Sequence, residues 1–326
     1  MASALRAGAR VVVTGAAGRH GRVVTALLVK RGFDVLATDV APWPACPARF
    51  VQAELGCDGA AVAELLRGAA GVVHLAAVPG PSATPPPHVD PAWSGSARLG
   101  LEALSPGEVL ARNSASSWAV FNTAARAGVP RLVFSSSAFA QGWSHDPRAF
   151  APPQLPLSEA AEPTPYESYG LSKLAGEAAL ACVVRAAART PRPLSAASLR
   201  FTNLVYPEDE HRLPWAAPSE EAPQHALMWC FSKAHEVALA HVLALEAPRE
   251  ALGASGHEAF LLAAPTTRFV EDTVPLLRRF FPTARLDEAK LRGNSSLICT
   301  RKAQERLGWL PSTVAALRQA RPARSG

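Results

Sequence analysis

Tyr169 and Lys173 stand four residues apart in the run Tyr166-Glu167-Ser168-Tyr169-Gly170-Leu171-Ser172-Lys173. On a helix that spacing puts both side chains on one face, close enough to meet. A phenol, with a pKa of about 10, is a poor base for a substrate hydroxyl at neutral pH. An ammonium beside it favours the phenolate and makes it a usable one. Ser137, which closes the triplet Ser135-Ser136-Ser137 upstream, supplies a hydroxyl suited to holding the oxygen that loses its proton. Tyr166 shares the face but lies two turns from Lys173, so it is not the partner. A Tyr-x-x-x-Lys pair also arises by chance on many solvated helices. The elements that carry it therefore decide its meaning.

Near the start, the β-branched run Val11-Val12-Val13 opens into Gly15, Gly18 and Gly21, followed by an amphipathic helix over 22–31. In such a turn Gly15 takes backbone angles closed to other residues, Gly18 lets the chain approach a pyrophosphate, and Gly21 lets the helix pack on the strand. The free N–H groups of the helix start then face the anion, with Ala17, Arg19 and His20 filling the turn. Arg19 adds a cation within reach of a phosphate. A second strand over 34–39 ends on Asp39, near the offset at which an acid meets the ribose hydroxyls of an adenosine dinucleotide. A carboxylate there repels a 2′-phosphate, so NAD is expected rather than NADP.

Strands over 49–54 and 72–77 follow, the latter ending in Leu75, Ala76 and Ala77, small enough for a cofactor to lie against the backbone. His74, inside that apolar strand, reads as a core residue. Helices over 60–67, 108–126 and 166–188 alternate with strands over 131–134, 198–201 and 258–262. That alternation predicts an α/β fold with a doubly wound, Rossmann-type parallel sheet. Residues 1–203, with 232–264 returning to them, are expected to form the dinucleotide-binding domain. Residues 204–231 and 265–326 are expected to form a smaller substrate-binding cap. Six prolines between 79 and 91 exclude helix and central strand there. Against such a sheet edge, the positive nicotinamide ring joins Lys173 in favouring the phenolate of Tyr169. A fall of about two to three units, roughly 3–4 kcal/mol, is the expected result. Lys173 would also bind the nicotinamide ribose. The chemistry is hydride transfer between a secondary alcohol or sugar-like carbinol and its ketone.

Composition narrows the class further. Among 326 residues, 48% are hydrophobic and 18% charged, as in a globular enzyme, and no apolar run is long enough for a membrane helix. The N-terminus lacks the apolar core of a signal peptide, so a cytoplasmic location is expected. Five scattered cysteines without a Cys-x-x-Cys pair predict reduced thiols and no metal. The net charge of +6 owes several arginines to the tail over 318–324 and comes with no basic run interleaved with aromatics. No nucleic-acid partner is expected.

These motifs together resemble the extended short-chain dehydrogenase/reductases of the NAD-dependent epimerase/dehydratase family. They are Thr14 to Gly21, His74 to Ala77, Asn113, Ser135 to Ser137, Tyr169 to Lys173 and Arg200 to Asn203. The resemblance implies that Asn113 supports the active-site lysine through water and that Asn203 touches substrate. It also implies a homodimer in which the helices over 108–127 and 169–188 pair across the interface. Departures narrow the reaction. Ala138-Phe139 replaces the Asp-Glu pair that dehydratases need as their own acid and base, which argues against dehydration. Apart from Arg212, no arginine between 204 and 232 stands ready to grip a sugar-nucleotide pyrophosphate. The segment over 198–209 is closer to dehydrogenase-like members than to epimerases. An NAD-retaining sugar epimerase is the alternative reading, and a non-catalytic NAD-binding scaffold a second.

Overall fold

A computed structural model describes residues 4–56, 59–79, 104–143, 154–213 and 229–312. The proline-rich stretch therefore lies, beyond Pro79, outside the described residues. Seven strands form one parallel sheet: β1 (Arg10–Thr14), β2 (Asp34–Asp39), β3 (Arg49–Gln52), β4 (Gly71–His74), β5 (Arg131–Ser135), β6 (Ser195–Phe201) and β9 (His257–Leu262). Their order is β3-β2-β1-β4-β5-β6-β9, and every pairing is parallel. The order reverses between β1 and β4, so a crevice opens at the carboxyl ends of those two strands.

Strand sequences here are apolar at successive positions because helices cover both faces. Val11 and Val13 point to one face, where α1 (Arg19–Lys30) and α5 (Ala234–Glu246) pack. Val12 points to the other, where α2 (Gly59–Leu65), α3 (Pro106–Ala127) and α4 (Ser168–Ala187) pack. All three valines are fully buried. The ends of α3 follow from its sequence. Ser105 and Glu108 form a reciprocal capping box, Pro106 occupies the first turn, and Gly128 closes the helix at φ 71°.

The described cap is built around Trp229, Phe269, Leu276, Leu277 and Leu297, with α6 (Thr273–Phe280) on its outside. It is also woven into the segment between Ser137 and Tyr169. Leu155 N–H donates to Arg285 O, Asp287 N–H donates to Leu155 O, and Leu157 is bonded in the same way to Leu297 and Cys299, all at 2.8 Å. A two-stranded pair, β7 (Leu204–Val205) with β8 (Ser232–Lys233), joins the chain leaving β6 to the start of α5.

Several boundaries differ from those expected. Helix α1 begins at Arg19, not at 22, because Gly18 takes the N-cap position. The fourth strand stops at His74, since Thr14 draws the next residues off the ladder: its Oγ1 accepts the Ala76 N–H at 3.3 Å. Strand β3 is two residues shorter than read, and β6 starts three residues earlier. Residues 155–159 join the cap. Helix α7 (Arg301–Leu307), expected in the cap, instead contributes Ala303, Leu307 and Trp309 to the core on the α1–α5 face.

Candidate functional site

The β1–α1 turn is shaped by what cannot be there. Gly15 has φ 68°, and a Cβ on it would lie 2.5 Å from the backbone nitrogen of Ala76. A Cβ on Gly21 would lie 2.1 Å from the carbonyl oxygen of Gly15. Either contact is shorter than atoms tolerate, so the turn is closed only by glycine. Gly18, at the N-cap of α1, brings no side chain to cap the helix, leaving its first N–H groups for a ligand. Asp39 reaches back into the turn: Oδ2 accepts the Ala17 N–H at 2.9 Å and Oδ1 accepts the Ala41 N–H at 3.0 Å. Half-buried, it keeps lone pairs for ribose hydroxyls. A narrow cradle, an uncapped helix start and an acid at the end of β2 fit an adenosine dinucleotide.

Arg19 does not point a free cation at that cradle. Its Nη2 donates to Glu208 Oε1 at 2.6 Å and to Asp209 Oδ2 at 3.0 Å, and its guanidinium stacks 3.7 Å from the centroid of the Tyr206 ring. It cross-links the turn to the chain beyond β7. His20, the next residue, turns inward. Its ring lies 5.4 Å from those of Phe201 and His241, and both of its nitrogens are hidden without a hydrogen-bond partner. His74 is fully buried, with Nδ1 at 2.7 Å from Thr14 Oγ1 and Nε2 at 3.3 Å from Ser117 Oγ. Burial, with the Lys173 charge as a smaller contribution, lowers its pKa to about 3. Burial likewise takes His241 to about 4 and His20 well below the ordinary value, so all three imidazoles are neutral. Leu75, Ala76 and Ala77 line the opposite side of the crevice at the end of β4, partly exposed.

The second half of the site is a corner made by α4, the end of β5 and the short 3₁₀ turn Ala138–Gln141 that follows. Glu167 caps α4 by accepting the Tyr169 and Gly170 N–H groups at 2.7 and 2.5 Å. Ser137 caps the 3₁₀ turn, accepting the Phe139 N–H at 3.2 Å. The two caps set Ser137 and the first turn of α4 at one corner, where the Ser137 hydroxyl favours ionisation of the Tyr169 phenol. Phe139 packs edge-on against the Tyr169 ring at 5.9 Å, and Lys173 Nζ lies 5.5 Å from the centre of that ring. Lys173 is buried and donates to Ser135 O at 2.9 Å.

In the chain by itself, burial dominates the acid–base balance of this corner. Burial, and after it the Glu167 carboxylate, push the Tyr169 phenol up, opposed by the Ser137 hydrogen bond. Burial draws the Lys173 ammonium down to about 7, against the pull of Glu177. The protein alone thus holds a protonated phenol beside a lysine near its titration point, rather than a ready phenolate. The physical reason is desolvation, which penalises charge on both partners.

Asn113 is buried beside this corner, but its bonds go elsewhere than to the lysine. Oδ1 accepts the Val78 N–H at 2.7 Å, and Nδ2 donates to Val78 O and to Ser172 Oγ, both at 3.1 Å. Ser172 in turn donates to Tyr169 O at 2.7 Å, so Asn113 ties the chain after β4 to the first turn of α4. Asn203 lies between β6 and β7, where its carbonyl accepts the Ser232 N–H at 2.8 Å.

Sequence reasoning passed over Glu177 and gave Arg200 no role. Glu177 Oε1 accepts from Ser136 Oγ at 2.5 Å, and Arg200 grips the same carboxylate with Nε at 2.9 Å and Nη2 at 2.5 Å. Arg200 also bonds Gln141, whose amide donates to Ala161 O at 2.7 Å. The signal was present: Tyr169, Lys173 and Glu177 are a ladder at four-residue spacing on one helix face.

With that geometry in place, comparison with known proteins is informative. Residues 11–90 and 94–254 match the model of the NAD dependent epimerase/dehydratase family. No curated protein sequence is significantly similar to the chain. Solved structures share its fold. MoeE5 in complex with UDP-glucuronic acid and NAD aligns with a TM-score of 0.62 at 22% identity, covering 96% of this chain and all (100%) of that one. Glucuronic acid dehydrogenase from Chromohalobacter salexigens aligns with a TM-score of 0.61 at 20% identity, covering 98% and 90%. UDP-N-acetylglucosamine 4-epimerase from Bacillus cereus aligns with a TM-score of 0.61 at 16% identity, covering 98% and 99%.

Proposed function

The chain belongs to the NAD dependent epimerase/dehydratase family, and within it we propose an NAD-dependent dehydrogenase that interconverts a secondary alcohol, of sugar-like character, and its ketone. The observation that carries this reading is that Tyr169 and the buried Lys173 share one face of α4 next to the Ser135–Ser137 triplet, on the same sheet as a glycine turn that no larger residue could form. The turn over 15–21 would hold the pyrophosphate, Asp39 the adenosine ribose, Leu75 to Ala77 one wall of the crevice, and Lys173 the nicotinamide ribose. NAD, when bound, supplies the hydride acceptor and a positive ring.

The chain's own part is proton handling. Ser137 Oγ would orient the carbinol oxygen, and Tyr169 Oη, as the phenolate that Lys173 and a bound positive ring favour, would receive its proton. Lys173, one helical turn away, stabilises the phenolate while its charge is sustained by Glu177. Asn203, where the chain leaves β6, contacts the substrate. Ala138-Phe139 supplies no second acid–base pair after Ser137, which leaves elimination of water without its machinery. Among the solved neighbours are proteins described as a dehydrogenase of glucuronic acid and as an epimerase, which frames the substrates to try. We also propose a homodimer interface on α3 and α4, where the large apolar side chains Trp118 and Leu171 stand 47% and 43% exposed. No described helix is long and apolar enough to cross a membrane, and we assign the enzyme to the cytoplasm.

The test is turnover with a panel of uronic acids, sugar alcohols, hydroxysteroids and UDP-sugars in the presence of NAD, followed by nicotinamide absorbance. Stoichiometric NADH release with one member of the panel is expected, and Tyr169→Phe should reduce kcat/KM about 10³-fold while still binding NADH. Product formed with no net change in NAD would instead establish the epimerase reading. Activity untouched by Tyr169→Phe would remove the catalytic role of the corner.

A further inference from the structure

Arg19 begins α1 immediately after the glycine turn, and its partners lie 189 and 190 residues away. They belong to the short 3₁₀ turn Pro207–Arg212, which follows Tyr206 and β7. That turn has a firm base. The Asp209 and Glu210 N–H groups both donate to Tyr206 O, β7 is paired to β8, and Glu210 lies 3.5 Å from His235 on the first turn of α5. The acids are thus fixed to the chain leaving β6, and Arg19 is a long side chain reaching to them from the β1–α1 turn. The hydrogen bond from Arg19 holds the Glu208 carboxyl below its ordinary range, so the contact is ionic at neutral pH.

One end of this bridge is the β1–α1 turn, on which the dinucleotide is read to lie, and the other is the chain leaving β6, two strands beyond β4 in the sheet. The approach of the His20 ring to Phe201, the last residue of β6, shows how near the turn comes to that chain. We propose that Arg19, Tyr206, Glu208 and Asp209 form a clasp across the mouth of the cofactor crevice, which must open for the dinucleotide to enter or leave. Arg19 is a gating residue in this scheme, not a phosphate ligand. Its charge is matched by two carboxylates, and its flat face is covered by Tyr206. The inference rests on the dinucleotide reading of the turn, and it concerns the rate at which cofactor exchanges, on which a dehydrogenase depends and a cofactor-retaining enzyme does not.

A gate and a ligand leave different kinetic marks. Removing a gate speeds entry and exit together and leaves Kd nearly unchanged, whereas removing a phosphate ligand speeds exit alone and weakens Kd. The experiment is stopped-flow NADH fluorescence on the full chain, comparing wild type, Arg19→Ala, the double variant Glu208→Gln/Asp209→Asn, and all three changes combined. An exposed ionic contact with a stacked ring predicts that association and dissociation both rise about three- to tenfold in each variant. The combined variant should be no faster than either parent, and high salt should bring the wild type to the same rates while leaving the variants unmoved. Unchanged rates in Arg19→Ala, with thermal melting confirming a folded protein, would overturn the clasp. So would a selective loss of affinity in Arg19→Ala together with tighter binding in the double variant, which frees the arginine for phosphate. A folded wild type that binds no dinucleotide would overturn the cofactor reading itself, and the clasp with it. One that binds NADH and exchanges it at rates insensitive to all the variants would overturn only the clasp.

Discussion

The two halves of the site handle charge in opposite ways. At the glycine turn the chain offers backbone, leaves its charged Arg19 and Asp39 partly exposed, and keeps the imidazoles of His20, His74 and His241 uncharged. At the α4 corner it buries Lys173 and, one turn further on, a bonded set of Glu177, Arg200 and Ser136. The contrast follows from what each half must do. A dinucleotide carries its own charges, and the turn need only match its shape with N–H groups aimed at the anion. A proton transfer creates charge during the reaction, and fixed charges placed beforehand lower its cost without reorganisation. Shape is guarded by glycine, and charge by a side-chain network.

Breaking the charged half should cost most. Lys173→Met leaves the corner without its ammonium, and hydride transfer measured in single turnover should fall about 10²- to 10⁴-fold with NADH affinity changed far less. Breaking the shaped half should act on binding. In Gly21→Ala the new methyl meets the Gly15 carbonyl, a backbone atom that must move. A cost of about 1–3 kcal/mol, roughly 5- to 150-fold in the Kd for NADH by fluorescence titration, is the expected outcome. A fall in kcat with Kd intact would show that the two halves are not separable.

The neutral imidazoles give the smallest effect and sharpen the contrast by pH. Their folded pKa values lie below the unfolded value of about 6.5, so the unfolded chain takes up protons first as pH drops. Their contribution is complete above pH ~6.5 and is lost as pH falls towards about 4 for His241 and about 3 for His74. Urea unfolding at pH 5 against pH 7.5 should show a loss of up to about 2 kcal/mol per imidazole, at about 1.4 kcal/mol per pH unit. Replacing His241 with Asn should flatten that dependence. An unchanged slope would mean that His241 is not held neutral.

The sequence made the shaped half easy to read. Gly15, Gly18, Gly21 and Asp39 lie within one β-α-β unit, where local chain geometry dictates residue type. The seven strands were legible as well, because burial on both faces gives continuous apolar runs. Helix α5 was not identified as a helix, since Val237, Ala238, Ala240, Val242, Ala244 and Leu245 are all buried and no polar face marks its period. The bonds of Arg19 and Arg200 join segments far apart in sequence, and no local pattern announces them. The burial of the Tyr169 ring was hidden for a related reason: desolvation depends on everything packed around it, which sequence spacing does not report.

The strand-like segment at Leu155 and Leu157 has a consequence for how such an enzyme changes its diet. It sits between Ser137 and Tyr169 in the chain, yet it is stitched by backbone bonds to Arg285, Leu297 and Cys299 of the cap. Ten residues beyond Leu157, Glu167 sets the first turn of α4. If the cap receives the substrate and Tyr169 is the base, as proposed, a change that remodels the first also tugs on the second, and selectivity and reactivity are carried on one thread.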